Sequence, residues 1–306
     1  MAKATRQAYG EKLAELVAEN PKIVVLDADL AGSTKSGEAK KVAPERFFDF
    51  GIAEADMIGH AAGFAASGYI PFASSFAMFA SGRAWEQIRN SVAYPYLNVK
   101  ICGSHAGITV GEDGVSHQAI EDIAIMRAIP GMKIYVPSDA NETRAVLNQV
   151  IREFGPTYIR TGRAPVENVY ETEDIDVTKI HVLRSGNRAA VFACGFCVKS
   201  ALEAADRLKA EGIDITVVDV CAIKPCDEEG ILHILQDYDL IFTAEEHNIV
   251  GGLGGMIAEL ASGKCPKKIV RIGLADRFAE SGSYKDLAKK YRLDGDGLYE
   301  QIKAAL

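Results

Sequence analysis

The sequence predicts an α/β protein of two three-layer domains, each a mostly parallel sheet with helices on both faces. Three observations predict it. Short apolar runs alternate with longer helical patterns along the chain. The alternation stops once, between Pro165 and Arg188, where Glu167, Glu171, Glu173, Asp174 and Asp176 crowd a helix-poor stretch. The 306 residues, 48% apolar and 25% charged, suffice for two cores of ordinary globular make-up. The domains are placed at 1–165 and 188–306, with 166–187 as linker.

The first helix spans 3–19, because Leu13, Leu16 and Val17 share a face and Asn20-Pro21 stops it. Ile23 to Leu26 is a short buried strand, followed by Asp27, Asp29 and Leu30. Residues 31–45 are polar and contain glycine, and read as a surface loop. Residues 53–68 have Glu54 and Asp56 as their only carboxylates and are otherwise nearly free of charge, so a helix buried all round is expected. Gly59 and Gly63, four apart, let another element approach closely. Strands follow near 70–73 and 99–102, with a helix at 76–92 between them. A glycine-rich loop at 105–118 leads to helix 119–127, strand 133–136, helix 140–153 and strand 157–160. The second alternation has strands at 189–194, 215–220, 239–244 and 268–272, with helices at 199–211, 228–236 and 254–262. Parallel sheets collect ligands beyond the carboxyl ends of their strands, and Asp29, Ser75, His105 and Arg163 all follow strands.

Glu54 sits at the mouth of the apolar helix. A flat apolar ligand covering it would strip its water and leave a carboxyl poised to keep a proton. The alternative is a carboxylate that only caps the helix. Within 103–118, His105 and His117 flank Glu112 and Asp113 among four glycines, which suits hydroxyl binding and proton transfer. A zinc site is the rival reading, but no ligand pair has i,i+4 spacing. Phe76 and Phe79 share a helical face, either as core or as a wall for a flat ring. Arg6, Arg83, Arg89, Arg160 and Arg163 are candidates for an anionic group.

The net charge of −8 and the lack of a basic stripe argue against nucleic acid, so an anionic substrate needs a local cluster of cations. No apolar run reaches membrane-spanning length, and the chain opens into a charged helix, so a cytoplasmic protein is expected. The six cysteines lie mostly in apolar runs, and Cys194-Gly195-Phe196-Cys197 reads as buried structure. Gly251-Gly252-Leu253-Gly254 lacks the third glycine of a dinucleotide fingerprint and reads as a packing turn. Gly295-Asp296-Gly297 looks like the start of a diphosphate-and-magnesium motif but reads as an ordinary turn.

Phe50-Gly51-Ile52-Ala53-Glu54-xx-Met57, Ser75-Phe76-xx-Phe79 and Gly111-Glu112-Asp113-Gly114-xx-His117-Gln118 resemble the C-terminal half of transketolase, as does Glu245-Glu246-His247-Asn248 further on. The likeness runs over the whole chain. It implies a pyrimidine-binding domain followed by a transketolase C-terminal domain. In that family the glutamate matching Glu54 hydrogen-bonds the aminopyrimidine of thiamine diphosphate and promotes loss of the thiazolium C2 proton. Phe76 and Phe79 match aromatics around the pyrimidine, but the further aromatic expected three positions on is Gly82 here. Leu30 matches the prop under the bent cofactor, and Asp29 joins it in that site. Asp113 and His117 match residues that hold sugar hydroxyls. Arg6, Ser33, His105 and Arg163 match those that grip the sugar phosphate. Glu54, His105 and His117 carry the proton chemistry, and no metal site falls in this chain.

The resemblance implies transfer of a two-carbon ketol unit from a ketose phosphate to an aldose phosphate, as in the pentose phosphate pathway. Diphosphate and magnesium are held by an N-terminal half absent here. Met1 immediately precedes the matching region, so a split enzyme is expected, an α2β2 heterotetramer with a separate N-terminal-half subunit. Alternatives are a deoxyxylulose-phosphate synthase-like subunit, a 2-oxoacid dehydrogenase β subunit, or a noncatalytic regulatory relative. Gly111-Glu112-Asp113-Gly114 with His117-Gln118 favours transketolase over the first two.

Overall fold

Apolar strands buried on both faces dictate the architecture: Ile23–Asp27 is buried at all five positions, the pattern of a central parallel strand. The computed structural model describes residues 2–306. The first sheet runs in the order Phe47–Asp49, Ile23–Asp27, Ile70–Phe76, Lys100–Ser104, Thr157–Arg160, Lys133–Tyr135, Ala222–Lys224. Its first six strands are parallel. The seventh comes from the second half of the chain and pairs antiparallel with Lys133–Tyr135. The second sheet orders Lys268–Leu274, Leu240–Asn248, Ala190–Ala193 and Thr216–Asp219 in parallel, with His181–Arg184 antiparallel at the edge. This α/β architecture is the one expected.

The chain winds outward on both sides of Ile23–Asp27, to Phe47–Asp49 on one flank and Ile70–Phe76 on the other. That reversal opens a crevice at the carboxyl ends of those strands. The two halves share a core in which Ile101, Met126 and Ile134 join the same cluster as Phe192, Val218 and Leu253. The acidic stretch after Pro165 is docked rather than loose. Glu173 pairs with Lys12 at 3.2 Å and with Arg144. Asp139 accepts from the backbone N–H groups of Val169 at 2.6 Å and Tyr170 at 2.8 Å.

Several elements differ from expectation: the loop at 105–118 holds a helical turn, Ile108–Asp113, and the linker contributes the edge strand His181–Arg184, while three further differences lie around the crevice. Residues 31–45 form short helical turns, Ala31–Thr34, Gly37–Val42 and Pro44–Arg46, instead of a loop. Their polar residues point inward, because buried Asp27 accepts from the Leu30 N–H at 2.6 Å, Thr34 Oγ1 at 2.8 Å and Ser36 Oγ at 2.7 Å. Helix Glu54–Ala66 buries Met57, Ile58, Ala61 and Ala62, but Gly59, His60 and Gly63 face outward. It is therefore buried on one side, not all round. The helix expected over 76–92 starts after Phe76, which ends strand Ile70–Phe76, so Phe76 and Phe79 do not share a helical face; it is also interrupted, Met78–Arg83 and Ile88–Ala93 being π-helical turns flanking Trp85–Gln87.

The glycine turn at 251–254 is a packing turn. Glu245 accepts from the Leu253 and Gly254 N–H groups at 2.7 and 2.8 Å, supplying the helix cap. Gly295-Asp296-Gly297 opens the last helix, Gly295–Ala305, capped by Asp294. Cys194 and Cys197 are buried free thiols. Among the described residues no helix is long and apolar enough to cross a membrane.

Candidate active site

Ile23–Asp27, Ile70–Phe76 and Lys100–Ser104 release their loops into the crevice, and the first turn of Glu54–Ala66 closes its floor. Glu54 is 1% exposed. Arg83 Nη1 donates to its two carboxylate oxygens at 3.1 and 2.9 Å, and Ser75 Oγ donates at 3.4 Å. The guanidinium carbon lies 4.4 Å from the centroid of Phe79. Phe79 is nearly parallel to Phe76, 6.0 Å away at 13°. Phe76 stacks on His105 at 3.9 Å, and His117 stands edge-on to Phe76 and Phe79 at 6.0 and 5.2 Å. The two phenylalanines therefore form a wall shared by two imidazoles and a guanidinium. Where the family carries a third aromatic, a side chain on Gly82 would meet only the end of Met78.

A cationic corner adjoins this wall. The Gly162 N–H donates to Thr5 Oγ1 at 2.7 Å, drawing the start of helix Thr5–Glu19, and Arg6 with it, toward Arg163. Arg6 Nη1 donates to the Ser33 carbonyl at 2.7 Å and lies 3.1 Å from His105 Nε2. Arginine has no acceptor, so His105 accepts at Nε2 and turns its Nδ1 proton to Ser104 Oγ at 2.9 Å. Burial, then the Arg6 charge, push the His105 pKa down to about 3, so the ring is neutral near pH 7. The Arg6 pKa is lowered by burial and by Arg163, and its Nε is buried without a partner. Arg163 donates to Glu112 at 3.0 Å and to the Val110 carbonyl, with Asp113 at 4.0 Å. Asp113 is exposed and His117 half-buried, with Ser116 Oγ 2.9 Å from His117 Nδ1.

The structure thus gathers Glu54, Phe76, Phe79, His105, His117, Arg6, Ser33, Asp113 and Arg163. Asp29 and Leu30 stand apart at the neighbouring strand end. The Asp29 N–H donates to Asp49 at 3.0 Å with φ 62°, and Leu30 is tied to Asp27. Two of the candidate cations fall elsewhere. Arg89 is held by Asn90 on the surface, and Arg160 is a buried strut paired with Asp122 at 2.8 Å. Among the described residues no group of three or more His, Cys, Asp or Glu is placed to hold a metal ion.

Sequence reasoning left four contributors without a role. Lys35 stands close enough to His105 to help lower its pKa, and the polar run that carries it reads as loop. Asp27, its pKa raised to about 6 by burial, organises that run, and its place after an apolar strand was the available signal. Gln118 Nε2 donates to the Glu280 carbonyl at 3.0 Å, tying the histidine loop to a strap of the second half. Glu246, raised to about 7 by burial, accepts from the Thr109 N–H at the other end of that loop.

Comparison with known proteins shows the family of the chain. The transketolase pyrimidine-binding domain family matches residues 1–168, and the transketolase C-terminal domain family matches residues 178–298. The chain is 49% identical over 304 residues to a protein of Methanocaldococcus jannaschii described as a transketolase C-terminal section, covering 98% of this chain and 95% of that one. It is 40% identical over 289 residues to a 6-deoxy-6-sulfo-D-fructose transketolase subunit of Clostridium sp. strain MSTE9, covering 94% and 90%. Among solved structures it superposes with a TM-score of 0.90 and 45% identity on a split-gene transketolase crystallised as an inactive β4 tetramer, covering 100% of this chain and 99% of that one. Family domains across nearly the whole length, a relative of matching extent and the superposition lead to one conclusion: the chain belongs to the transketolase family and is built from its pyrimidine-binding and C-terminal domains.

Proposed function

We propose that this chain is the pyrimidine-binding subunit of a split transketolase that moves a two-carbon ketol unit from a ketose phosphate to an aldose phosphate. One observation carries the reading: buried Glu54 faces a planar, N–H-bearing group laid on Phe79. The Arg83 guanidinium supports the reading, because a flat nitrogen-rich group with donors toward the carboxylate and a face on the ring meets the demands of an aminopyrimidine. When bound, thiamine diphosphate supplies a thiazolium that stabilises carbanion character. Glu54 holds or yields a proton at the pyrimidine nitrogen. Phe76 and Phe79 wall the ring, and Asp29 and Leu30 border it from the neighbouring strand end.

The substrate's anionic end lies against Arg6, Ser33, His105 and Arg163, where the unpartnered Arg6 Nε supports an anion. Asp113 orients a hydroxyl. His117 is positioned to accept or return a hydroxyl proton, and neutral His105 takes part through hydrogen bonds without changing its charge. A separate N-terminal-half subunit holds the diphosphate and magnesium, giving an α2β2 assembly. The inactivity of the β4 relative supports a requirement for such a partner, and the sulfofructose relative supports a sugar with an anionic terminus.

The test is reconstitution with thiamine diphosphate and magnesium, assaying ketose phosphates against pyruvate. Activity with ketose phosphate only after adding the N-terminal-half chain is expected. Turnover by this chain alone would overturn the split arrangement, and preference for pyruvate would overturn the donor.

A further inference from the structure

The crevice contains a contact that the proposed chemistry does not use. Arg83 grips both oxygens of Glu54, at 2.9 and 3.1 Å, while its guanidinium carbon stands 4.4 Å over Phe79. It thereby takes the carboxylate and the aromatic face together. We propose that Arg83 is a resident competitor for the cofactor's pyrimidine, a planar cation that must be displaced before the heterocycle can reach Glu54 and Phe79.

The chemistry of Glu54 favours such a placeholder. A carboxylate removed from water needs a compensating charge or donor, and the other side-chain donor on Glu54, Ser75 Oγ, is distant at 3.4 Å. The local structure favours release. The Arg83 side chain is 50% exposed, so it can swing into solvent without crossing packed core. It ends the π-helical turn Met78–Arg83, a rare geometry that occurs frequently at functional sites. Gly82 precedes it, and an added Cβ there would meet only the flexible end of Met78. The position where the family resemblance expects another aromatic is therefore bare, and the adjacent residue supplies a flat group of its own.

This inference rests on the pyrimidine reading of the site, and its test separates the two. Thiamine diphosphate binding, with magnesium, is measured by calorimetry on the full chain assembled with its diphosphate-binding partner, for wild type, Arg83→Met, Arg83→Lys and Glu54→Gln in the Arg83→Met background. Removing a charge-assisted pair that the cofactor must break should tighten binding about tenfold in Arg83→Met. Arg83→Lys, which keeps the charge but not the flat fork, should fall between. Stopped-flow fluorescence should also show wild-type association levelling off at high cofactor concentration, set by departure of the arginine, and Arg83→Met losing that plateau. Unchanged or weaker binding in Arg83→Met, with thermal unfolding showing an intact fold, would overturn the competitor while leaving the cofactor reading in place. Wild type that binds no cofactor, or Glu54→Gln in the Arg83→Met background that binds it as tightly as Arg83→Met alone, would overturn the pyrimidine reading itself. If Arg83→Met fails to assemble, Arg83→Gln decides by the same criteria.

Discussion

Glu54 is cut off from water, so whichever group faces it governs what it can do. In the proposed reaction it manages a proton, and Glu54→Gln should reduce turnover of the reconstituted complex by roughly 10²-fold or more with the fold intact. Steady-state rates beside a thermal melt check this, and unchanged turnover rejects the role. Arg6 is the sharper probe of the anionic corner, because its Nε is buried without a partner and nearby Arg163 repels it. Arg6→Met should raise KM for a phosphorylated ketose about tenfold or more and leave an unphosphorylated analogue little changed. Residue types made this site partly legible: two histidines and two acids among glycines after a strand, and one carboxylate opening an apolar helix. Arg83 was legible only as one of five cations, since nothing in its neighbours along the chain announces Glu54, 29 positions away, as its partner.

At the scale of elements, the histidine loop is held at both ends by the second half of the chain. Gln118 is tied to the Glu280 carbonyl, Ile108 shares a cluster with Leu287, and Glu246 accepts from Thr109. Gly107 permits this approach: its φ is 78°, and a Cβ there would collide with the Glu246 carboxyl. Gly107→Ala should therefore cost about 2 kcal/mol or more, through backbone strain and the displaced carboxyl, read from urea midpoints. The inner strands of both sheets were legible because parallel strands buried on both faces leave continuous apolar runs, whereas Phe47–Asp49 and His181–Arg184, short strands at the edges, were not. Residues 31–45 were not, because polarity usually marks solvent, whereas here Thr34 and Ser36 turn inward to Asp27. The open face of Glu54–Ala66 was misjudged for the opposite reason: small apolar residues mark contact surface without saying whether the contact is made within the chain.

For the whole molecule, the sequence carries −8 while the crevice collects Arg6, Arg163 and Lys35 beside His105, so attraction for an anion is local and should weaken with salt. Buried carboxyls set the pH response. Burial raises Glu246 from 4.5 to about 7 and Asp27 from 3.8 to about 6, and it also raises the buried neighbours Glu142 and Asp219. Across that window the folded state retains protons that the unfolded chain has released, so stability falls as pH rises from about 4 to about 7. His105, depressed from 6.5 to about 3, opposes this, since the unfolded chain takes up a proton there as pH falls below 6.5. Buried carboxyls, Glu142 and Glu245 among them, outnumber the one depressed imidazole and predict a net decline toward neutrality, and Glu246→Gln should flatten its upper part, measured as denaturation midpoints from pH 4.5 to 7.5. The shared core and the seventh strand were beyond sequence reading, because pairing between Ala222–Lys224 and Lys133–Tyr135 joins segments from opposite sides of the acidic stretch. That crossing strand has a consequence for biosynthesis. Until the ribosome has made residues 222–224, the nascent N-terminal sheet carries an unpaired margin along Lys133–Tyr135, a template for wrong strand addition while translation continues.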